Sequence, residues 1–231
     1  MDSRQAHVPL QSRNFRALTT CVATIPVKTP GLTPQSDSGI DRRVRKSFVL
    51  RDGVGAAAGA SCRVRGIARQ RPDLLEGLLL VCPGMRVGAH ERDLPDQEPP
   101  AAELGWLEAA PAELHGHLDR ALGHRTRAVV EVVLQALAAG GPGDEAYHDA
   151  LTDGPGYRLA DQDAELLFNG LVMFVAGRND RVVGYADQVH ALQAYPRGTY
   201  CVVDASNHYL PCEQPELFRA LTQDWLQRRD T

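Results

Sequence analysis

A carboxylate and an imidazole brought together at the ends of two strands make an acid–base pair. The carboxylate fixes the tautomer of the ring and leaves its far nitrogen free to take a proton. Asp180 and His208 have the spacing for this. Asp180 closes Ala176-Gly177-Arg178-Asn179-Asp180 after the apolar run Leu171 to Val175, and His208 closes Asp204-Ala205-Ser206-Asn207-His208 after the run Thr199 to Val203. Alone, Asp180 would read as a loop-capping carboxylate and His208 as a surface or core histidine; their matching positions after successive strands favour the pair. A hydroxyl for attack is offered by Ser61, in Gly59-Ala60-Ser61-Cys62-Arg63, with the Cys62 thiol as the alternative.

Such a pair needs parallel strands, since reactive side chains of open parallel sheets gather at the carboxyl ends. The last third supplies them: a strand at 171–175, a helix at Tyr185 to Ala194, a strand at 199–203 and an amphipathic helix at Pro215 to Arg228. Upstream, Leu78 to Cys82 is a continuous apolar run stopped by Pro83-Gly84, as expected of a strand buried on both faces. Ser47 to Leu50 and Cys21 to Val27 offer two further short strands, and a helix is expected to run from the Gly/Ala-rich stretch 53–61 to Arg71. Between them, 102–138 sets Leu104, Leu107, Leu114, Leu118, Leu122, Val129, Val133 and Leu137 at helical spacings, and a further helix is expected at Asp161 to Phe168.

The segment from Met173 to Arg228, beginning MFVAGRND, resembles the C-terminal part of the α/β-hydrolases: strand, G-x-x-D loop, helix, strand, histidine loop, and a helix ending near W-L. Gly177 and Asp180 match the acid loop; His208, Glu213 and Pro215 match the histidine loop. Where the family usually has Gly before its histidine, this chain has Asn207, a residue that tolerates left-handed backbone. ARQRPDLLEGLLLVCPG resembles the family's helix after the nucleophile and the strand beyond it. The resemblance implies an α/β fold, mainly parallel, with flanking helices and a helical cap at about 96–165.

It also implies a G-x-S-x-G turn between strand and helix. Gly59 and Ser61 match that turn, and Arg63 stands where its second Gly would be. Aligning the following helix without a gap puts Ala58 at the nucleophile, and the neighbouring glycine spacing puts Ala57 there. Only 60 residues precede Ser61, so the early strands are expected to be missing or altered, with 1–46 an irregular arm and 47–231 the folded domain.

Two functions follow. One is a serine-type hydrolase of a small-molecule ester, thioester or amide, with Ser61 attacking, His208 moving the proton and Asp180 orienting it, and no cofactor or metal. The other is a non-catalytic hydrolase-like remnant. His115-Gly116-His117 with His124 suggests metal, but helix positions two apart point about 200° from each other, and solvated histidines are the expectation. A formal net charge of −4 gives no case for nucleic acid or an anionic membrane, and no apolar run approaches the ~20 residues of a membrane helix. Five widely spaced cysteines without C-x-x-C fit a reducing cytoplasm, and the protein could self-associate.

Overall fold

The computed structural model describes residues 20–23, 46–52, 57–86, 88–96, 98–139 and 168–229. Within them a five-stranded sheet runs in the order β1-β2-β3-β4-β5, from β1 (Thr20–Ala23) through β2 (Lys46–Asp52), β3 (Leu75–Val81) and β4 (Leu171–Gly177) to β5 (Gly198–Val203). β1 pairs antiparallel with β2; every later pairing is parallel. The sheet is thus mainly parallel, as expected, and its carboxyl edge collects the residues after β3, β4 and β5.

Period-two alternation explains why the central strands are apolar throughout. Leu79, Val81, Leu171, Met173 and Val175 face one side, where Trp225 of the C-terminal helix α6 (Pro215–Arg229) packs fully buried. Leu78, Leu80, Val172 and Phe174 face the other, against Val64 and Ala68 of α1 (Ala57–Gln70) and Tyr195, which follows α4 (Ala186–Leu192). Close approach fixes one glycine here. A Cβ on Gly77 would stand 2.8 Å from the Leu171 carbonyl oxygen and 2.9 Å from the Trp225 ring.

The apolar stripe at 102–138 resolves into two helices, α2 (His115–Ala121) and α3 (Arg127–Ala139), separated by an irregular link. The residues before α2 are turns rather than helix: Gly105 takes a positive φ of 70°, and Pro111 stops any helix from running through. Leu104 consequently lies almost fully exposed, outside the packed stripe. Leu114, Leu118, Leu122, Val130 and Val133 form a third apolar cluster with Trp106 and Tyr209. Tyr209 directly follows His208, so this cluster is anchored on the histidine loop. The helix expected at Asp161 to Phe168, apart from its last residue, and most of the expected arm lie outside the described residues; of the strand expected at Cys21 to Val27, residues 21–23 are described, in β1, and 24–27 are not.

Candidate active site

The chain leaves β4 at Gly177 and turns at once. The Asp180 amide donates to the Gly177 carbonyl (3.1 Å), and the Asp180 carbonyl accepts from Gly184 N–H (3.1 Å). Within that turn the Asp180 side chain is fully buried and its oxygens are divided. Oδ1 accepts the Val182 and Val183 amides, both at 2.9 Å, while Oδ2 accepts from His208 Nδ1 at 3.0 Å. With two amides fixing the carboxylate, its second oxygen has one direction left. A carboxylate there keeps the proton on Nδ1, which leaves Nε2 as a lone-pair acceptor. Nε2 is buried and meets no hydrogen-bond partner among the described residues.

His208 is fixed from three sides. Its backbone amide donates to Asn207 Oδ1 (2.8 Å) and to the Ala121 carbonyl at the end of α2 (3.1 Å). Asn207 Nδ2 donates to the Arg120 carbonyl (2.8 Å), so the carbonyls of the last turn of α2 find donors in the histidine loop. Asn207 therefore serves through its side-chain amide. The left-handed residue of the loop is Ala205, at φ 50°, and Asn207 is not among the positive-φ positions.

Glu213, in the short helix α5 (Leu210–Glu213), ties the same region together from beneath. Its buried carboxylate accepts from the amides of Gly123, His124 (2.8 Å) and Asn207 (2.8 Å), and from Ser206 Oγ (3.2 Å). Burial pushes its carboxyl above the usual range, against the opposing pull of the three amide donors. Gln at 213 would turn an NH2 toward one set of donors, leaving buried groups unpaired. Glu213→Gln is expected to lower stability by about 2 kcal/mol in denaturant unfolding.

The expectation of solvated histidines does not describe His117. It is half-buried, its Nε2 lies 3.2 Å from the Tyr209 hydroxyl, and its ring stands edge-on to Tyr209, with centroids 5.8 Å apart. Burial pushes its imidazole from 6.5 down to about 4, with His208 and Arg120 pushing the same way. Below 6.5 the unfolded imidazole takes up a proton while the folded one stays neutral until about 4, so the fold loses stability as pH falls across that interval. His117→Gln removes this contribution. Its melting temperature is expected to fall less than the parent's between pH of about 7 and about 4.5.

Asp180 and His208 are thus brought together. Ser61 is the fifth residue of α1, and the link between β2 and α1, residues 53–56, lies outside the described residues. That link reads Gly53-Val54-Gly55-Ala56 and carries no hydroxyl or thiol. Cys82, to which the sequence reading gave no role, stands beside the pair. Its only signal was position, at the end of the apolar run that became β3.

A mainly parallel sheet, helices on both faces, and an acid and a histidine after its last two strands define the α/β-hydrolase fold, and this chain has it. No family model matches the sequence, and no curated protein matches it. Among solved structures, an α/β superfamily hydrolase from Oenococcus oeni PSU-1 is similar with a TM-score of 0.65 at 18% identity, over 77% of this chain and 69% of that one. An N-acyl homoserine lactone degrading enzyme is similar with a TM-score of 0.53 at 18% identity, over 78% and 67% of the two chains. A meta-cleavage product hydrolase gives 0.54 at 16%, over 80% and 65%. The chain spans about two thirds of the length of these structures. Among the described residues no helix is long and apolar enough to cross a membrane.

Proposed function

We propose that this protein is a serine-type hydrolase acting on an ester, thioester or amide of a small molecule. The observation that carries the reading is the buried Asp180–His208 hydrogen bond, 3.0 Å long, with Nε2 unpaired among the described residues. A neutral imidazole so oriented can take a proton from an attacking hydroxyl and return it to the leaving group, while Asp180 stabilises the imidazolium between the two steps. Ser61 is the hydroxyl assigned to attack. In this reading α2 and α3 belong to a cap that sets substrate choice. The substrate is a small molecule, no nucleic acid or membrane is engaged, and the protein works in the cytoplasm without a cofactor.

A second reading rests on the sequence of the β2–α1 link. With Gly53-Val54-Gly55-Ala56 where a strand-to-helix nucleophile would sit, the chain would be a hydrolase-like protein that binds without hydrolysing. Labelling with a fluorophosphonate probe, followed by peptide mapping, separates the two. A label on Ser61 supports the first reading with its nucleophile. A label on another serine keeps the hydrolase and moves the nucleophile. Folded protein that takes no label overturns the first reading in favour of the second.

A further inference from the structure

Three potential ligands converge at the carboxyl edge of the sheet from three different strand ends. Cys82 follows β3, Asp180 follows β4 and His208 follows β5. One sulfur, one carboxylate oxygen and one ring nitrogen from these residues lie within 4.8 Å of one another. All three residues are buried, with 1% or less of each exposed. Cys82 is held there by its backbone. Its amide donates to the Val175 carbonyl of the neighbouring strand (2.7 Å), and its φ of 45° lies in the left-handed region that a side chain disfavours.

We propose that Cys82, Asp180 and His208 form a binding site for one thiophilic divalent cation of the zinc class. This goes beyond the hydrolase reading and does not depend on it. The Cys82 thiol donates to the Asn207 carbonyl oxygen at 3.6 Å. As the donor in that bond the sulfur carries its proton. A divalent cation changes this. It displaces the thiol proton to solvent, and its two positive charges are matched by one thiolate and one carboxylate, leaving a buried cluster without net charge. The imidazole stays neutral, with its remaining proton on the nitrogen that does not coordinate.

The donor set decides the ion. Sulfur, imidazole and a single carboxylate suit zinc or cobalt, whereas magnesium and calcium require more oxygen ligands than the three residues supply. Zinc bonds of roughly 2.0–2.3 Å place ligand atoms about 3.5 Å apart, so a separation of up to 4.8 Å closes by at most about 1.3 Å. Coordination draws the carboxylate and the ring toward the ion and competes with the Nδ1–H···Oδ2 bond. A bound ion would therefore hold the acid–base pair out of its working arrangement.

The test titrates chelator-treated, full-length protein with cobalt(II) and records its absorption, a readout independent of hydrolysis. One equivalent should bind with a sulfur-to-cobalt charge-transfer band and the intense visible bands of a four-coordinate site. Cys82→Ser should abolish the charge-transfer band and weaken binding on the order of 100-fold. Asp180→Asn should weaken binding at least tenfold with the band retained, and Cys201→Ser and Cys212→Ser should change neither. Should Cys82→Ser misfold by circular dichroism, Cys82→Ala takes its place. A wild-type protein without the band, or a band that survives at full strength in the folded Cys82 variant, overturns the proposal. Cobalt binding in a protein whose metal-free form takes no fluorophosphonate label would leave this site standing and sink the hydrolase reading alone.

Discussion

His208→Ala is expected to lower kcat/KM on an activated ester by about 10⁴-fold, and Asp180→Asn by a similar factor, with the fold retained. A factor of that size is about 5.5 kcal/mol of transition-state stabilisation. The two variants fail for different reasons. His208→Ala removes the proton acceptor. Asp180→Asn can keep the oxygen that accepts the Val182 and Val183 amides, at 2.9 Å each, but then turns an NH2 toward Nδ1. Nδ1 must then accept, the ring proton moves to Nε2, and the nitrogen that should take a proton already carries one. Steady-state kinetics of both variants, with melting temperatures as a fold control, make the check. Rates unchanged in two well-folded variants would show that hydrolysis does not pass through this pair.

Gly177→Ala carries the largest structural effect. The histidine loop crosses directly over Gly177, and a Cβ there would lie 2.4 Å from the Asn207 carbonyl oxygen and 2.5 Å from that of Ser206. These are backbone atoms, so no side-chain rotation relieves the clash. Loop and strand end must part. Overpacking of this kind costs about 3 kcal/mol, which for a chain of this size lowers the melting temperature by roughly 6–12 °C. The same displacement moves His208 against Asp180, and a shift of about 1 Å costs on the order of 100-fold in activity. Thermal unfolding and kcat/KM should fall together. A variant with parental stability and rate would show that the loop has freedom the packing denies it.

The G-x-x-D spacing thus has a physical cause that the sequence alone does not express. Gly177 is needed because another segment, 29 residues later, lies on it. Likewise Asn207 was legible as a departure from glycine, and its expected use was backbone freedom. Its actual use is the side-chain amide that ties Arg120, Arg181 and His208 together, with the left-handed conformation passed to Ala205.

What the sequence determined by itself is the set of strands and the acid and histidine that follow them. The apolar runs at 78–82, 171–175 and 199–203 became β3, β4 and β5 within a few residues, because continuous burial and abrupt turn residues are local properties of the chain. Two strand ends carrying Asp180 and His208 were enough to anticipate their hydrogen bond. Tertiary structure decided what depends on crossing between distant segments. It set Cys82 beside that pair, 98 residues before Asp180, and turned His117 toward Tyr209 instead of solvent. It also drew four donors onto Glu213, and left Leu104 outside the stripe to which its spacing assigned it. Periodicity records which face a residue presents. Only packing decides what that face meets.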